Sequence, residues 1–320
     1  MQVLVTGCAG FIGSHLAEAL LGDGTPVIGA DCLTDTYAAE QKLQNLERVR
    51  DFDAFELRQL DLADANVDGI VEGCDVVFHL AGEPGVRNSW GGGFDVYLRN
   101  NVLATQRLLE VVSRQPETRF VYASSSSIYG DAERLPTPES VTPAPLSPYG
   151  VTKLAVEHVC QTYALSHGVG TVGLRYFSVY GPRQRPDMAF HRFCRAAIER
   201  LPISVYGDGE QTRDFTFVAD AVAATRSAAE APVERNRIFN VGGGVQVSVN
   251  QAIELIGDLT GRTLEVSYTA RAAGDARDTS ADTTRARDEL GYHPETPLKA
   301  GLEAELEWMT SALAGARVER

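Results

Sequence analysis

The 320-residue sequence has no long apolar run, no paired cysteines and little lysine. No apolar segment reaches the about 18 residues that a membrane-spanning helix needs, so no membrane span is predicted. The five cysteines occur singly, which argues against a zinc site or a thioredoxin-like motif and favours buried, reduced thiols. They are Cys8, Cys32, Cys74, Cys160 and Cys194. No basic leader precedes the first apolar run, and we predict a cytoplasmic protein.

Basic residues are outnumbered, with 29 lysines and arginines against 43 acidic residues and a formal net charge of −14. Such a balance argues against a nucleic-acid partner, whose phosphate backbone binds clustered positive charge. Only three of the 29 basic residues are lysines, namely Lys42, Lys153 and Lys299. At about 150 residues per domain, the length predicts two domains.

Short apolar runs alternate with longer amphipathic stretches as far as about residue 177. This pattern predicts βαβ units and an α/β fold with a doubly wound parallel sheet, of the Rossmann type. Beyond it, glycine and proline interrupt the apolar runs. We therefore predict a nucleotide-binding domain over residues 1–177 and a smaller C-terminal α/β substrate lobe over 178–320. A segment near residues 215–242 is expected to return to the first domain.

Individual elements are predicted from the same pattern. The expected strands are Val3–Val5, Pro26–Ala30, Ala54–Leu60, Val76–Leu80, Phe120–Ala123 and Thr171–Tyr176. The expected helices are Ser14–Leu21, Asn101–Val112 and Tyr149–His167. A cleft is expected at the carboxyl ends of the strands, where open α/β sheets place their ligands.

A glycine-rich turn follows the first predicted strand, with Gly7, Gly10 and Gly13 in GxxGxxG spacing. Glycines there allow a pyrophosphate to approach backbone N–H groups, and a helix that begins near Phe11 would direct its positive end at the phosphate. Asp31 ends the second predicted strand, where a carboxylate accepts both ribose hydroxyls of NAD and repels a 2′-phosphate. Asp61 and Leu62 end the third, where an adenine would lie. The alternative is a glycine-rich turn without a ligand.

Tyr149 and Lys153 are four residues apart, so both lie on one face of the predicted helix. A phenol has a pKa of about 10, but a nearby ammonium and a cationic nicotinamide favour the phenolate. Tyr149 is then a candidate base for a hydroxyl whose carbon loses hydride. Ser124–Ser127 follow a strand and offer hydroxyls to a substrate oxygen. The alternatives are an exposed pair on a helix surface and a serine-rich turn.

These patterns occur together with further motifs that run in order over nearly the whole chain. They are TGCAGFIGSHL at Thr6–Leu16, HLAG at His79–Gly82, NVLAT at Asn101–Thr105, SSSSIYGD at Ser124–Asp131, SPYGVTK at Ser147–Lys153, LRYFSVYGPRQ at Leu174–Gln184, VYGDGEQTRDF at Val205–Phe215, FNVGGG at Phe239–Gly244 and GDARDTSAD at Gly274–Asp282. In this combination the chain resembles the extended short-chain dehydrogenase/reductase family, in its nucleotide-sugar epimerase/dehydratase branch.

The resemblance implies an NAD-dependent enzyme that binds a UDP-sugar and no metal, and that forms a homodimer through the helices containing Asn101–Val112 and Tyr149–His167. It makes Tyr149 the catalytic base and acid, Ser125 its hydroxyl partner, and Lys153 a ligand of the nicotinamide ribose that lowers the pKa of the phenol. The implied NAD contacts are Gly7, Gly10, Phe11, Ile12, Gly13, Asp31, Asp61, Leu62, Leu80, Ala81, Gly82, Asn101, Tyr149, Lys153 and Tyr176. The implied substrate contacts are Arg87, Ser125, Ser126, Ser127, Tyr149, Ser178, Arg185, Ala189, Phe190, Val205, Tyr206, Gln211, Arg213 and Asp275, with Arg213 on the diphosphate.

Reactions in this family share a first oxidation at C4 of the sugar. Dehydratases then use an Asp-Glu pair where this chain has Ser126 and Ser127, and decarboxylases of UDP-glucuronate typically carry Glu at the second position. Both departures favour 4-epimerisation. A non-catalytic NAD sensor is the rival from another class, but such proteins usually lack the tyrosine or the lysine.

The choice of sugar depends on residues 178–188. Ser178 stands where many UDP-glucose and UDP-N-acetylglucosamine epimerases have Asn, and the RPDM run that begins at Arg185 resembles UDP-glucuronate 4-epimerases. Arg185 with Ser126, Ser127 and Ser178 would bind a C6 carboxylate, although Arg185 is alternatively a surface charge. Arg183-Gln184 depart from the Trp-Gly of many glucuronate enzymes. UDP-glucose and N-acetylated UDP-sugars therefore stay open as alternatives.

Overall fold

The structure, a computed structural model, describes residues 1–34, 36–231 and 236–318. The predicted returning segment near 215–242 includes residues 232–235, which lie outside these ranges. The described strands are β1 Val3–Thr6, β2 Val27–Asp31, β3 Phe55–Gln59, β4 Val76–His79, β5 Arg119–Ser125, β6 Gly170–Tyr176, β7 Ser178–Tyr180, β8 Ile203–Tyr206, β9 Thr212–Phe217, β10 Arg237–Val241, β11 Gln246–Ser248 and β12 Val266–Thr269.

The α-helices within the described ranges vary from one turn to six. They are α1 Phe11–Gly22, α2 Ala39–Asn45, α3 Asp68–Val71, α4 Phe94–Tyr97, α5 Ala104–Val112, α6 Pro148–His167, α7 Ala189–Glu199, α8 Val218–Glu230, α9 Val249–Thr260, α10 Thr284–Leu290 and α11 Leu298–Val318. A π-helix spans Leu98–Leu103, and short 3-10 turns span Arg87–Ser89, Gly91–Gly93 and Ser126–Ile128.

A parallel sheet of seven described strands organises the molecule, in the order β10-β6-β5-β4-β1-β2-β3. Successive residues of β1 point to opposite faces: Val3 and Val5 join one apolar cluster and Leu4 the other. The first cluster includes residues of α1, α8 and α10, and the second includes residues of α3, α5 and α6. Both faces are therefore covered by helices, which confirms the predicted doubly wound α/β fold. The strand order reverses at β1, where such sheets bind nucleotides.

The C-terminal half adds a smaller layered unit. Strands β11, β9 and β7 form one sheet and β12 pairs with β8, and helices α7, α9 and α11 contribute to the apolar cluster beside them. Helix α8 packs on α1, and β10 joins the edge of the large sheet beside β6. Helix α10 also packs there through Ala286 and Leu290, a second return that the sequence pattern did not indicate. The division at residue 177 stays a prediction.

Helix α6 begins and ends at strong local signals. The Ser147 hydroxyl accepts a hydrogen bond from the Gly150 N–H at 3.1 Å, and Pro148 occupies the first helical position. Gly168 closes the helix with a left-handed φ of 74°. The predicted helix Tyr149–His167 is confirmed, one residue longer at its start.

Three smaller predictions were wrong. The third strand ends at Gln59, so Asp61 lies in the following loop, where its carboxylate accepts the Ala63 N–H at 2.9 Å. The stretch 101–112 is not one regular helix, because residues Leu98–Leu103 form a π-helix before α5. Cys32 is exposed just after β2, whereas the other four cysteines are buried.

Over the described ranges, no helix combines the length and apolarity needed to cross a bilayer. In the same ranges, no three His, Cys, Asp or Glu side chains gather as a metal site would require.

Candidate active site

A cleft of about 390 Å³ opens at the carboxyl ends of β1, β2, β4, β5 and β6. It is lined by most of the predicted cofactor residues and by several predicted substrate residues. These are Gly7, Gly10, Phe11, Ile12, Gly13, Asp31, Asp61, Leu62, Leu80, Ala81, Gly82, Ser125, Ser126, Ser127, Tyr149, Lys153, Tyr176, Ser178 and Arg185. The predicted nucleotide and sugar positions are thus parts of one cleft.

The turn between β1 and α1 has room for backbone only. Gly7 has φ +69°, and a Cβ there would lie 2.8 Å from the Ala81 nitrogen. A Cβ on Gly13 would lie 2.1 Å from the Gly7 oxygen. No side chain caps the start of α1 at Gly10, so the first N–H groups of the helix are available to a phosphate. This turn fits the pyrophosphate of a dinucleotide.

Asp31 is fixed where a ribose would need it. Its carboxylate accepts the Ala9 N–H at 3.1 Å and the Leu33 N–H at 2.8 Å. The residue is buried to 8 % exposure at the end of β2 and lines the cleft. Asp61 and Leu62 also line the cleft, and Arg99 donates to the Asp61 carboxylate at 2.9 Å.

Sequence reasoning missed Lys42 as a residue of the cleft. Its side chain is buried, its Nζ donates to the Thr34 hydroxyl at 2.8 Å and lies 5.1 Å from the centre of the Tyr37 ring, and all three residues line the cleft. The available signal was a lysine in a chain with only three. Asn101 was predicted to contact NAD, but it is not among the residues that line the cleft. Its side-chain amide accepts the Glu83 N–H at 2.7 Å and donates to the Thr152 hydroxyl at 3.0 Å.

Tyr149 and Lys153 both face the cleft from α6. Lys153 Nζ donates to the Ala123 carbonyl at 2.9 Å, and burial lowers the pKa of Lys153 to about 8. Burial also raises the pKa of Tyr149, while a hydrogen bond with Ser125 and the positive charge of Arg185 act in the opposite direction. Ser125 and Arg185 both favour the phenolate. The lowering of the phenol pKa that the resemblance assigns to Lys153 stays a prediction.

A buried ion pair supports this wall of the cleft and was also missed. Glu157 follows Lys153 by one helical turn, and its carboxylate accepts the Ser124 hydroxyl at 2.6 Å. Arg175 of β6 donates two hydrogen bonds to the same carboxylate, from Nε at 2.9 Å and from Nη2 at 2.8 Å. Ser124 and Arg175 are direct neighbours across β5 and β6, just before Ser125 and Tyr176. The only sequence signal was a glutamate on the same face of the helix as Tyr149 and Lys153.

A second cavity of about 150 Å³ continues from the first, with which it shares Ser178, Val179 and Met188. It contains the remaining predicted substrate residues, namely Arg87, Ala189, Phe190, Val205, Tyr206, Gln211, Arg213 and Asp275. Every side chain predicted to touch the substrate therefore lines one of two connected cavities.

Three arginines line the second cavity, and the two predicted ones among them, Arg87 and Arg213, are held in different ways. The Arg87 guanidinium lies 4.1 Å from the centre of the Tyr206 ring and donates to Asp275 at 3.1 Å. Arg213 donates to the carbonyls of Thr212, Ala276 and Arg277 at 2.8–3.0 Å, and burial lowers its pKa. These three hydrogen bonds hold the guanidinium in place at the wall of the cavity.

Arg185 acts on the predicted catalytic tyrosine, because its positive charge lowers the pKa of Tyr149. Its side chain is 16 % exposed and is held by Asp187 through two hydrogen bonds of 2.9 and 2.8 Å. The alternative of a loose surface charge is therefore wrong. Ser126, Ser127 and Ser178 line the same cleft.

Comparison with known proteins agrees with this geometry. Residues 3–242 match the model of the NAD dependent epimerase/dehydratase family. The chain belongs to this family. A Bacillus subtilis protein named as an uncharacterized UDP-glucose epimerase is 42% identical over 98% of this chain and 100% of its own length. A UDP-glucuronate 4-epimerase of Thermodesulfobacterium geofontis is 36% identical over 95% of both chains.

Solved structures of the family share the fold over nearly the whole chain. The UDP-glucuronic acid 4-epimerase of Bacillus cereus, in complex with UDP-glucuronic acid and NAD, superposes with a TM-score of 0.94 at 39% identity, over 98% of this chain and 100% of that one. NAD is accordingly the cofactor of this family member, and the glycine turn, Asp31 and the cleft fit it.

Proposed function

We propose that this NAD-dependent UDP-sugar 4-epimerase converts UDP-glucuronate into UDP-galacturonate. The observation that carries the proposal is that Arg185, whose positive charge acts on Tyr149, lines the same cleft as Ser126, Ser127 and Ser178. A neutral hydroxymethyl group needs no buried cation, whereas a C6 carboxylate gains a charge-assisted hydrogen bond from one. The relatives named as UDP-glucuronate 4-epimerases support the same choice.

The side chains divide the chemistry among them. Tyr149 takes the proton from the C4 hydroxyl as a phenolate, which the Ser125 hydroxyl stabilises by donating its one proton to the phenolate oxygen before the transfer. The chemistry that bound NAD would supply is acceptance of the C4 hydride and its return to the other face of the ketone. Lys153 holds the nicotinamide ribose through its compact ammonium, which has three donors. One of them is used by the Ala123 carbonyl, and this hydrogen bond fixes the position of the ammonium. Tyr149 finally returns the proton to the new C4 oxygen.

The second cavity would bind the uridine diphosphate part of the substrate. Arg213 and Arg87 offer N–H donors to the diphosphate, and the ring of Tyr206 forms part of the cavity wall. A chain of net charge −14 binds a dianionic nucleotide in this way because the arginines act locally inside the cleft.

The same residues speak against two neighbouring reactions. Elimination across C5 and C6 requires an acid and a base near C6, and decarboxylation requires the carboxylate to turn until it is perpendicular to the C4 ketone. Ser126 and Ser127 supply neither an acid nor a base at neutral pH. Hydrogen bonds from these hydroxyls and from Arg185 to the C6 carboxylate would resist its rotation relative to the C4 ketone.

UDP-glucose is the second candidate substrate. Its support is the name of the Bacillus subtilis relative, and Arg183-Gln184 in place of Trp-Gly points the same way. The charge of Arg185 and the hydroxyls of Ser126, Ser127 and Ser178 favour UDP-glucuronate over UDP-glucose.

We also propose a homodimer that works in the cytoplasm. Large apolar side chains are exposed on the π-helix, its junction with α5, and α6, where a partner copy would cover them. They are Leu98, Leu103, Val151 and Leu165. Residues 1–177 form the proposed NAD-binding domain and residues 178–320 the proposed substrate lobe.

The substrate is tested by incubating the protein separately with UDP-glucuronate, UDP-glucose and UDP-N-acetylglucosamine and by following the products by NMR. We expect UDP-galacturonate from the first and much slower turnover of the others. Turnover of UDP-glucose without turnover of UDP-glucuronate would refute the proposed substrate. A matched variant, Ser178→Ala, should impair the uronate reaction more than any residual reaction of UDP-glucose, because only the uronate carries the carboxylate.

A further inference from the structure

The loop between β7 and α7 joins the two halves of the cleft. Residues 182–184 of this loop contact the helix of the phosphate turn on one side and the substrate lobe on the other, and Arg185 follows them directly. The position of Arg185 therefore depends on how these three residues are anchored.

Arg183 anchors the loop to α1. Its backbone has a left-handed φ of +65°, and its side chain is buried. The guanidinium donates to the Ser14 hydroxyl at 3.4 Å and pairs with Glu18. Next to it, the His15 Nε2 lies 2.9 Å from the Pro182 carbonyl oxygen. Because α1 begins at the phosphate turn, these contacts tie the loop to the cofactor side of the cleft.

Gln184 anchors the same loop to the substrate side. Its Nε2 donates to the Val179 carbonyl at 3.0 Å and its Oε1 accepts the His191 N–H at 2.9 Å. The His191 Nδ1 lies 2.8 Å from the Gln184 carbonyl oxygen. With 3 % exposure, Gln184 links the end of β7 to the first turn of α7 through an amide that a glycine at this position would lack.

We propose that Arg183 and Gln184 are positioning residues that hold Arg185 against the substrate carboxylate and so keep decarboxylation from competing with epimerisation. This inference rests on the proposed function. It assigns to Arg183-Gln184, where the chain departs from many glucuronate enzymes, the task of fixing the loop by side-chain contacts to both lobes.

The competing step is a simple loss of CO2 from the 4-keto uronate. The C5–C6 bond breaks, its electron pair forms the C4–C5 enolate, and a proton from solvent adds to C5 to give the UDP-4-keto-pentose. The carboxylate carbon leaves as CO2, and the two electrons removed from C4 remain with the cofactor until they are returned to the pentose. The step needs no oxidant beyond the oxidation at C4 that the proposed reaction already includes, and only the orientation of the carboxylate controls it.

The test uses Arg183→Ala, Arg183→Lys and Gln184→Met, with Arg48→Ala as the matched control. Arg48 pairs with the same Glu18 at 3.2 Å, but its side chain is 74% exposed. This pair joins Arg48 to α1 and includes no residue of the loop between β7 and α7. Each variant receives UDP-glucuronate labelled at C6, and the measurement is the ratio of released CO2 to UDP-galacturonate. Bound NAD and the melting temperature are recorded for each variant.

We expect the CO2 share to rise roughly tenfold to a hundredfold in Gln184→Met and Arg183→Ala, with partial restoration in Arg183→Lys and no change in Arg48→Ala. Gln184→Met loses only neutral hydrogen bonds and keeps the side-chain volume, so it stays informative where Arg183→Ala does not fold. An unchanged ratio in Gln184→Met, or equal loss of both products, would overturn the inference. Failure of the wild-type protein to act on UDP-glucuronate would instead overturn the proposed function.

Discussion

The ion pair between Glu157 and Arg175 gives the sharpest stability prediction. Its two side chains are 5% and 6% exposed, and the carboxylate accepts two hydrogen bonds from Arg175 and one from Ser124. Glu157→Gln keeps the shape but leaves the Arg175 cation without its counter-ion. Breaking such a buried pair costs about 3–5 kcal/mol, because one charge remains desolvated and unpaired.

That cost converts into a measurable change in melting temperature. At roughly 2–4 °C per kcal/mol for large domains, we expect Glu157→Gln to melt about 6–20 °C lower. Activity should fall as well, because Ser124 and Arg175 position the strand ends that carry Ser125 and Tyr176. The assay is thermal unfolding followed by circular dichroism, with pH and the NAD concentration held fixed.

A surface ion pair of the same type provides the control. Arg195 and Glu199 pair at 2.7 Å along α7, with the Arg195 side chain 53% exposed. Glu199→Gln should cost no more than about 0.5 kcal/mol. If Glu157→Gln melted as high as Glu199→Gln, the reasoning that burial makes the first pair costly to break would be refuted.

Three further predictions follow from other parts of the structure. Tyr149→Phe should retain NAD but lose at least about a hundredfold in kcat, measured by product NMR and by the cofactor released on denaturation; full activity would remove Tyr149 from the mechanism. Burial raises the pKa of Glu305 to about 8, so the stability linked to its protonated form is present at acid pH and lost as pH rises through 8; Glu305→Gln should therefore melt higher than wild type above pH 8 and equally at acid pH, and a constant difference would contradict this. Leu165→Glu should convert the dimer into monomers in light scattering, while Leu201→Glu, at a position that is also more than half exposed but lies outside the proposed interface, should not; dimers in both variants would place the interface elsewhere.

Local patterns were enough to predict the sheet and the phosphate turn. The apolar run Val3–Val5, the glycine spacing and the Ser147-Pro148 start of α6 each act over a few residues, and the structure has a strand, a tight turn and a helix start at these places. The π-helix escaped prediction because Asn101 is held by partners distant in sequence, Glu83 and Thr152, and not by its own periodicity.

Contacts between distant segments account for what the sequence did not show. Glu157 and Arg175 meet only because α6 packs on the sheet, and neither residue has a local signature of pairing. The environment of Tyr149 is similar, since its pKa depends on burial and on Arg185 from the loop after β7. A spacing of four residues in one helix predicted Tyr149 and Lys153 together, but it contained no information on how deeply both would be buried.

The proposed substrate is tested most directly by the ratio of kcat/KM for UDP-glucuronate to that for UDP-glucose, measured for the wild-type protein and for Arg185→Met. Replacing a group that makes a charge-assisted hydrogen bond to the carboxylate should lower the ratio by roughly tenfold or more. We predict that the wild-type ratio strongly favours UDP-glucuronate and that the variant loses most of this preference. A ratio that favours UDP-glucose in the wild type, or one that Arg185→Met leaves unchanged, would contradict the account.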